Sequence, residues 1–571
     1  MHKRHTATAA SATSHQGSQH KTSKMINSYD EESTSNNDVI NQHRRLDDYL
    51  ETAFQHPSIR SNNNKSSMAW EYWAVMLSLG VANCSDAAEI LCLSYILSDE
   101  SFEATILQNA AWRGGFLASA VFAGMLLGGL FLGTLGDYVG RRPILLLGLF
   151  CNTTAGVLSA VATNVWMLSG LRCIAGVGIG ATVPPLFTLV AELAPPSRRG
   201  FFVTLCASFW MVGSIFVAVT ALVLFQYMNA SWRIFAAACA LPSAVGCLLV
   251  FHLVPESPRF LAISGKSEEA LDEANKLASQ MDYRGPPLTL SEITEQFPPS
   301  SNSSTRRLVA PRSFSLPAMV RLAKEAVADF LLSSSKLYTP QMKPVTWPLQ
   351  MVWFALCFGS YGLLTWINTI FKEIHLENVY YNALLFALSN LPGNMISGYF
   401  MDRIGRTPLL VGSILAAAVS LLSFAWFASF AGSSEHPINA VGVVLSACSF
   451  QCFTITAWNT IDCMTSELFP TSVRSSGMGV CAASGRVGAM LAQFVNGALA
   501  SSPVRLLLVA SATLLLGATT PFWLPSGDMT GQPVADDVSI STTTTTNYTY
   551  LDSSSPSGNG QPPAAEFHSV I

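Results

Sequence analysis

Apolar runs of roughly 20 residues, the length needed to cross a bilayer, recur twelve times along this chain. They fall near residues 73–97, 113–135, 143–163, 165–190, 201–225 and 233–254, and again near 347–370, 379–400, 408–430, 438–463, 477–499 and 504–524. Charged residues make up only 12% of the 571, about half the usual share in a soluble domain, and the shortage is concentrated in these runs. The expected fold is an all-α membrane protein with twelve transmembrane helices.

The runs come in two sets of six, and the sets share landmarks. Between the second and third runs stands GTLGDYVGRR, with Gly133, Asp137, Gly140, Arg141 and Arg142. Between the eighth and ninth stands GYFMDRIGR, with Gly398, Asp402, Gly405 and Arg406 at the same G-x-x-x-D-x-x-G-R spacing. After the fourth run comes Glu192-x-x-Pro195-x-x-x-Arg199, and after the tenth Glu467-x-x-Pro470-x-x-x-Arg474. After the sixth comes Pro255-Glu256-Ser-Pro-Arg259, and after the twelfth the shorter Leu524-Pro525-Ser526. Three landmarks in the same order predict two six-helix pseudo-repeat bundles. In the charged turns, glycine permits close approach of helices, and arginine holds the turn in water.

Basic residues set the expected orientation. They crowd the N-terminal tail and the loops holding Arg141, Arg142, Arg198, Arg199, Arg403, Arg406 and Arg474, whereas the opposite loops hold little beyond Arg113, Arg233, Lys372 and Arg505. Both tails are therefore expected in the cytosol. Residues 1–72 and 525–571 are polar, the latter with a Thr run at 542–546, and are expected to be disordered. Residues 255–346 form a cytosolic linker. Ser267–Gln280 and Met319–Tyr338 show helical spacing of apolar residues, and Pro298–Pro317 reads as a flexible connection. The units are thus 1–72, a bundle over 73–254, the linker, a bundle over 347–524, and the tail. No cleavable signal peptide is visible, so the first span is expected to act as an uncleaved signal. All twelve cysteines fall within the apolar runs, so no disulfide framework is expected. Net charge is −4, which motivates no nucleic-acid partner.

The duplicated motifs resemble the major facilitator superfamily over roughly 73–524. ELFPTSVRSSGMGVCAASGRVGA (467–489) and Asp86-Ala-Ala-Glu89 look like the synaptic-vesicle-protein-related and organic-ion transporters. The short, cysteine-free loop at 98–112 resembles the synaptic-vesicle-related branch more. The seventh run, CFGSYGLLTWINTIF, lacks the paired Gln of sugar porters, and the fifth contains only Gly213, unlike drug–proton antiporters. The resemblance implies alternating access by a monomer. It also implies that Asp137, Arg141, Arg142, Asp402, Arg406, Glu192, Arg199, Glu467 and Arg474, with Glu256 and Arg259, latch the halves together on the cytosolic side in the outward-facing state.

A charge at bilayer depth costs about 2.5–3.5 kcal/mol on insertion scales, so each one needs a reason. Asp86 and Glu89, three apart, share one face of the first helix. Two nearby carboxylates at low dielectric suit loading and unloading of a proton; the bland reading is an ion pair with Arg172. Arg172, in the fourth run, matches the basic residue of a family motif linked to proton coupling, or simply neutralises Asp86. Arg486, in the eleventh, matches the family's arginine there and would attract a carboxylate or phosphate; the alternative is a clamp between two helices. Asp462 departs from the family pattern. It either adds cation preference or pairs with a basic residue at the membrane edge. Tyr361, Trp366 and Trp458 stand near the expected cavity and suit flat or cationic organic molecules.

The expected function is secondary transport of a small organic solute, with a proton as coupling ion and no other cofactor. The site is in the plasma membrane or a vesicle membrane, and the partners are the bilayer and the solute. A non-transporting sensor on the same fold and a sugar porter are the alternatives. No nucleotide-binding or nucleophile motif is present, and no enzyme activity is expected.

Overall fold

A computed structural model describes residues 45–55, 70–108, 110–297, 316–430, 437–470 and 473–524. Nearly all of the Ser/Pro/Arg-rich connection, and the whole C-terminal tail with its Thr run, lie outside the described residues. Among those described there is no strand. Eleven helices are long and apolar enough to cross a membrane, from Trp70–Leu97 to Pro503–Trp523.

The twelfth crossing, eighth in order, is a broken helix of Val379–Leu388 and Asn390–Ile404. Pro392 lacks the N–H that would continue the ladder. Polar side chains satisfy the break: Asn390 Nδ2 donates to the Ala387 carbonyl at 2.7 Å, and Gln451 Nε2 donates to Asn390 Oδ1 at 2.7 Å. Buried polar backbone at membrane depth is tolerated where neighbouring groups supply such bonds. The crossings form two bundles of six.

Glycine sets the closest packing in the first half. A Cβ on Gly124 or Gly128 of the second span would overlap the carbonyl of Cys173 or Val177 in the fourth. Between helices in lipid such close backbone contact is a main source of attraction. Gly133 likewise faces Pro184, but Gly398 has open space around it, so the expected close approach holds in the first turn and not in the second. Each turn instead depends on its later glycine. Gly140 and Gly405 have φ of +125° and +95°, which an L side chain rarely adopts.

The side carrying these turns is termed the basic side, and its opposite the far side. On the far side the two halves meet. Asn368 Nδ2 donates to Ser94 Oγ at 3.0 Å, and Lys372 Nζ lies 3.1 Å from Glu100 Oε1. Gly115 of the second span sits against the backbone of Gln493 in the eleventh.

One expectation is overturned. The tail was read as structureless to residue 72, yet Leu46–Gln55 is a helix and the first span begins at Trp70. Leu46, Tyr49, Leu50 and Ala53 recur at helical spacing and are all buried. They pack with the linker helices Pro258–Ile263, Ser267–Gln280 and Leu290–Gln296. The tail's polar average conceals one amphipathic segment. Glu51 Oε2 accepts from the Ser197 N–H at 2.9 Å, and Tyr49 Oη donates to Asn275 Oδ1 at 2.7 Å. The second expected linker helix spans Leu316–Lys336.

Candidate functional site

The first span turns Asp86 and Glu89 toward the fourth, as their three-residue spacing requires. Both carboxylates are buried, at 1% exposure each. Their partners differ. Glu89 Oε2 lies 2.6 Å from Arg172 Nη1, and this guanidinium nitrogen also reaches Cys92 Sγ at 3.2 Å. Asp86 Oδ2 accepts from Thr182 Oγ1 at 2.8 Å, and Ser85 Oγ is 3.5 Å from Oδ1. Arg172 therefore neutralises Glu89, not Asp86: it lies about three turns farther from the basic side than Thr182 and meets the deeper carboxylate.

The ion pair is incompletely satisfied. Glu89 Oε1, Arg172 Nε and Nη2, and both side-chain polar atoms of Asn152 are buried with no hydrogen-bond partner among the described residues. The third span supplies space here, because Gly156 presses its bare backbone on Glu89. A buried charged pair with open hydrogen-bonding capacity is costly as a purely structural device.

The second half contributes aromatic rings and opposite charges. Trp458 packs edge-on against Trp353 at 5.4 Å and beside Tyr361 at 5.7 Å. Their orientations are fixed, since Trp353 Nε1 donates to Thr465 Oγ1 at 3.0 Å and Trp458 Nε1 to Ser360 Oγ at 3.2 Å. The Arg486 guanidinium lies 5.7 Å from the Tyr361 ring centroid and within electrostatic reach of Asp86 and Asp462. Asp462, one turn beyond Trp458, has an exposed side chain within electrostatic reach of Arg486. Among the described residues it forms no ion pair with a basic residue at the membrane edge. Arg406 is held by Glu467 through bonds of 3.1 Å from Nε and Nη2.

Trp366 lies elsewhere. Its Nε1 donates to Gln493 Oε1 at 2.9 Å, and its ring touches Gly114 of the other half. It belongs to the far-side contacts, so of the three expected aromatics only Tyr361 and Trp458 stand together beside Arg486. Thr182, Asn152, Trp353, Ser360 and Gln493 were not expected. Thr, Ser and Asn are too common in spans to signal a site alone.

The charged turns pair in parallel. Arg141 lies 3.3 Å from Asp137 and 3.4 Å from Glu192. Arg406 lies 2.9 Å from Asp402 and 3.1 Å from Glu467. Arg142 Nη2 donates to the Phe251 carbonyl, and Glu256 accepts from the N–H groups of Arg141, Arg142 and Ser257. Burial pushes the Glu256 carboxyl above its ordinary range, more strongly than these bonds and Arg141 pull it down. Arg199 and Arg259 meet Asp47 of the tail helix at 3.4 and 3.9 Å. Arg474 Nε donates to the Phe469 carbonyl. Each of these pairs stays within one half, whereas the expectation was a latch between halves. The implied latch belongs to the outward-facing state, and the contacts between halves described above lie on the far side. All twelve cysteines are free.

Residues 87–503 match the sugar (and other) transporter family. The chain belongs to that family. Its curated relatives include synaptic vesicle glycoprotein 2C of Homo sapiens, 25% identical over 79% of this chain and 78% of that one. An organic cation/carnitine transporter of Arabidopsis thaliana is 28% identical, covering 74% and 84%. A niacin transporter of Acinetobacter baylyi is 27% identical, covering 74% and 86%. Among solved structures, the xylose transporter XylE from E. coli in an inward open conformation matches with a TM-score of 0.60 at 17% identity, over 81% of this chain and 98% of that one. That likeness shows the major facilitator fold. The family consists of transporters rather than enzymes, and this chain is a multi-pass membrane protein.

Proposed function

We propose that this protein couples the movement of a small organic solute to a proton by alternating access, with the basic side in the cytosol. The observation that carries the reading is the contrast between two buried carboxylates on one helix face. Glu89 has a cation at 2.6 Å. Asp86, equally buried, has hydroxyl donors at 2.8 and 3.5 Å. A buried carboxyl held by neutral donors is the group suited to exchange a proton. Glu89 and Arg172 hold fixed charges beside it, and their unfilled hydrogen bonds suit the passage of water. Arg486, within electrostatic reach of Asp86, links this centre to the solute cleft.

Two of the relatives are named for organic cation/carnitine and for niacin, which supports an organic solute. The cleft offers Asp462 and Arg486 on either side of Trp458 and Tyr361, which suits a flat or cationic molecule carrying a polar group. With the basic side in the cytosol, the far-side contacts support an inward-facing state.

The test is uptake of organic anions, cations and zwitterions into proteoliposomes, with and without an inward proton gradient, read by mass spectrometry. Gradient-dependent accumulation of a solute is expected, with selectivity shifted away from cations in Asp462→Asn. Accumulation indifferent to the gradient would overturn the coupling, and absence of flux from folded protein would overturn transport.

A further inference from the structure

The linker helix Leu316–Lys336 has a role that neither family membership nor the cleft explains. It is joined to the second half by the chain and also packs on the basic-side end of the second span. Its C-terminal end runs through a short turn into the seventh span, where Leu337 and Met342 are buried at 0% and 2% exposure. Thr346 Oγ1 donates to the Leu337 carbonyl at 2.9 Å, and Tyr338 exchanges a hydrogen bond with Gln350. One face of the helix lies on the eleventh span, where the Phe330 ring covers Gly479.

The adjacent residue reaches the other half. Tyr138 Oη donates to Asp329 Oδ2 at 2.5 Å. Tyr138 stands in the first charged turn, directly after Asp137, and moves with the first half. The second turn has Arg403 in the same place, stacked over its own neighbour Tyr399 at 3.8 Å. The two turns, alike in the ion pairs of Arg141 and Arg406 to Asp and Glu of their own half, thus differ at this position, where Tyr138 meets Asp329 and Arg403 stacks on Tyr399. An arginine directs its charge into its own helix; a tyrosine presents a rigid arm ending in one donor.

We infer that Tyr138 and Asp329 form a strut across the basic-side gap, holding the halves apart there while the far side is closed. The bond spans two bodies that must rotate relative to one another during alternating access. The far-side contacts, Asn368 to Ser94 and Lys372 to Glu100, and the basic-side strut are then satisfied together in one state. Closing the basic side requires the helix to slide off the second span's end, which breaks the strut. Tyr138 and Asp329 are therefore positioning residues that bias the conformational equilibrium, and they touch no solute.

The test uses the full chain in lipid nanodiscs and needs no substrate, so it stands or falls separately from the transport reading. Hydrogen–deuterium exchange is followed over 94–101 and 366–374, the far-side seal. Tyr138→Phe and Asp329→Ala should each speed exchange there by about fivefold, the factor a hydrogen bond of ordinary net strength sets. The double variant should do no more than either single one. Global melting should stay unchanged in all three, which separates a shifted equilibrium from a damaged fold. Unchanged exchange at the far side, or effects that add in the double variant, would overturn the strut.

Discussion

Arg172 Nη1 lies 2.6 Å from Glu89 Oε2, at a depth where both side chains are 1% exposed. The pair joins the fourth span to the first beside Asp86. Its geometry separates two carboxylates that the chain places one helical turn apart, leaving one with a permanent countercharge and one with hydroxyls.

Removing one partner of such a pair strands the other. Glu89→Gln and Arg172→Met should each lower stability by about 3–5 kcal/mol, whereas replacing both by apolar residues should recover most of the loss. Chemical denaturation in lipid–detergent micelles measures this. Losses that simply add in the double variant would show that the two side chains are not coupled.

The repeats make a contrast in packing. Gly124→Ala forces a methyl into the Cys173 carbonyl and should cost about 1–3 kcal/mol as overpacking does. Gly398→Ala meets open space and should stay within about 0.5 kcal/mol. Thermal unfolding of the two variants decides the matter. Equal effects would mean that the spacing of the motif, rather than the contact, sets the demand for glycine.

How far the sequence discloses the molecule differs by level. The twelve crossings and the duplication are legible because hydropathy and motif spacing are local properties. Even the broken eighth span is visible as a run, since its break costs no hydropathy. The ion-pair partners are not legible. Arg172 lies the same sequence distance from Asp86 as from Glu89 to within three residues, and only the register of the fourth span chooses between them. Asp462 looks like a membrane-edge charge because it stands five residues before Glu467, yet that glutamate claims Arg406 and leaves Asp462 within electrostatic reach of Arg486. The tail helix is lost for a different reason. Four apolar residues in Leu46–Gln55 vanish in the average of a long polar tail, although their spacing marks a face.

That tail helix should respond to acid. Burial works to raise the Glu51 carboxyl, but hydrogen bonds from the side chain and backbone of Ser197, one from Gln55, and the charge of Arg198 outweigh it and hold the group below its ordinary 4.5. A lowered carboxyl supports the docked helix at pH above 4.5 and withdraws that support as pH falls through the lowered value. Proteolysis within 46–55 should stay slow from pH 7 to 5 and quicken below about 4.5. Quickening as pH rises instead would contradict the assignment.

Solute-driven proton entry tests the central claim most directly. Proteoliposomes carrying a lumenal pH dye receive the solute identified by uptake, with no imposed gradient, and acidification is compared between the wild type and Asp86→Asn. The account predicts lumenal acidification in the wild type. In Asp86→Asn it predicts a reduction of about 5- to 150-fold, the range that coupling free energies span, while solute exchange across the membrane persists. Acidification that survives undiminished in Asp86→Asn would contradict the account and move the proton to another group.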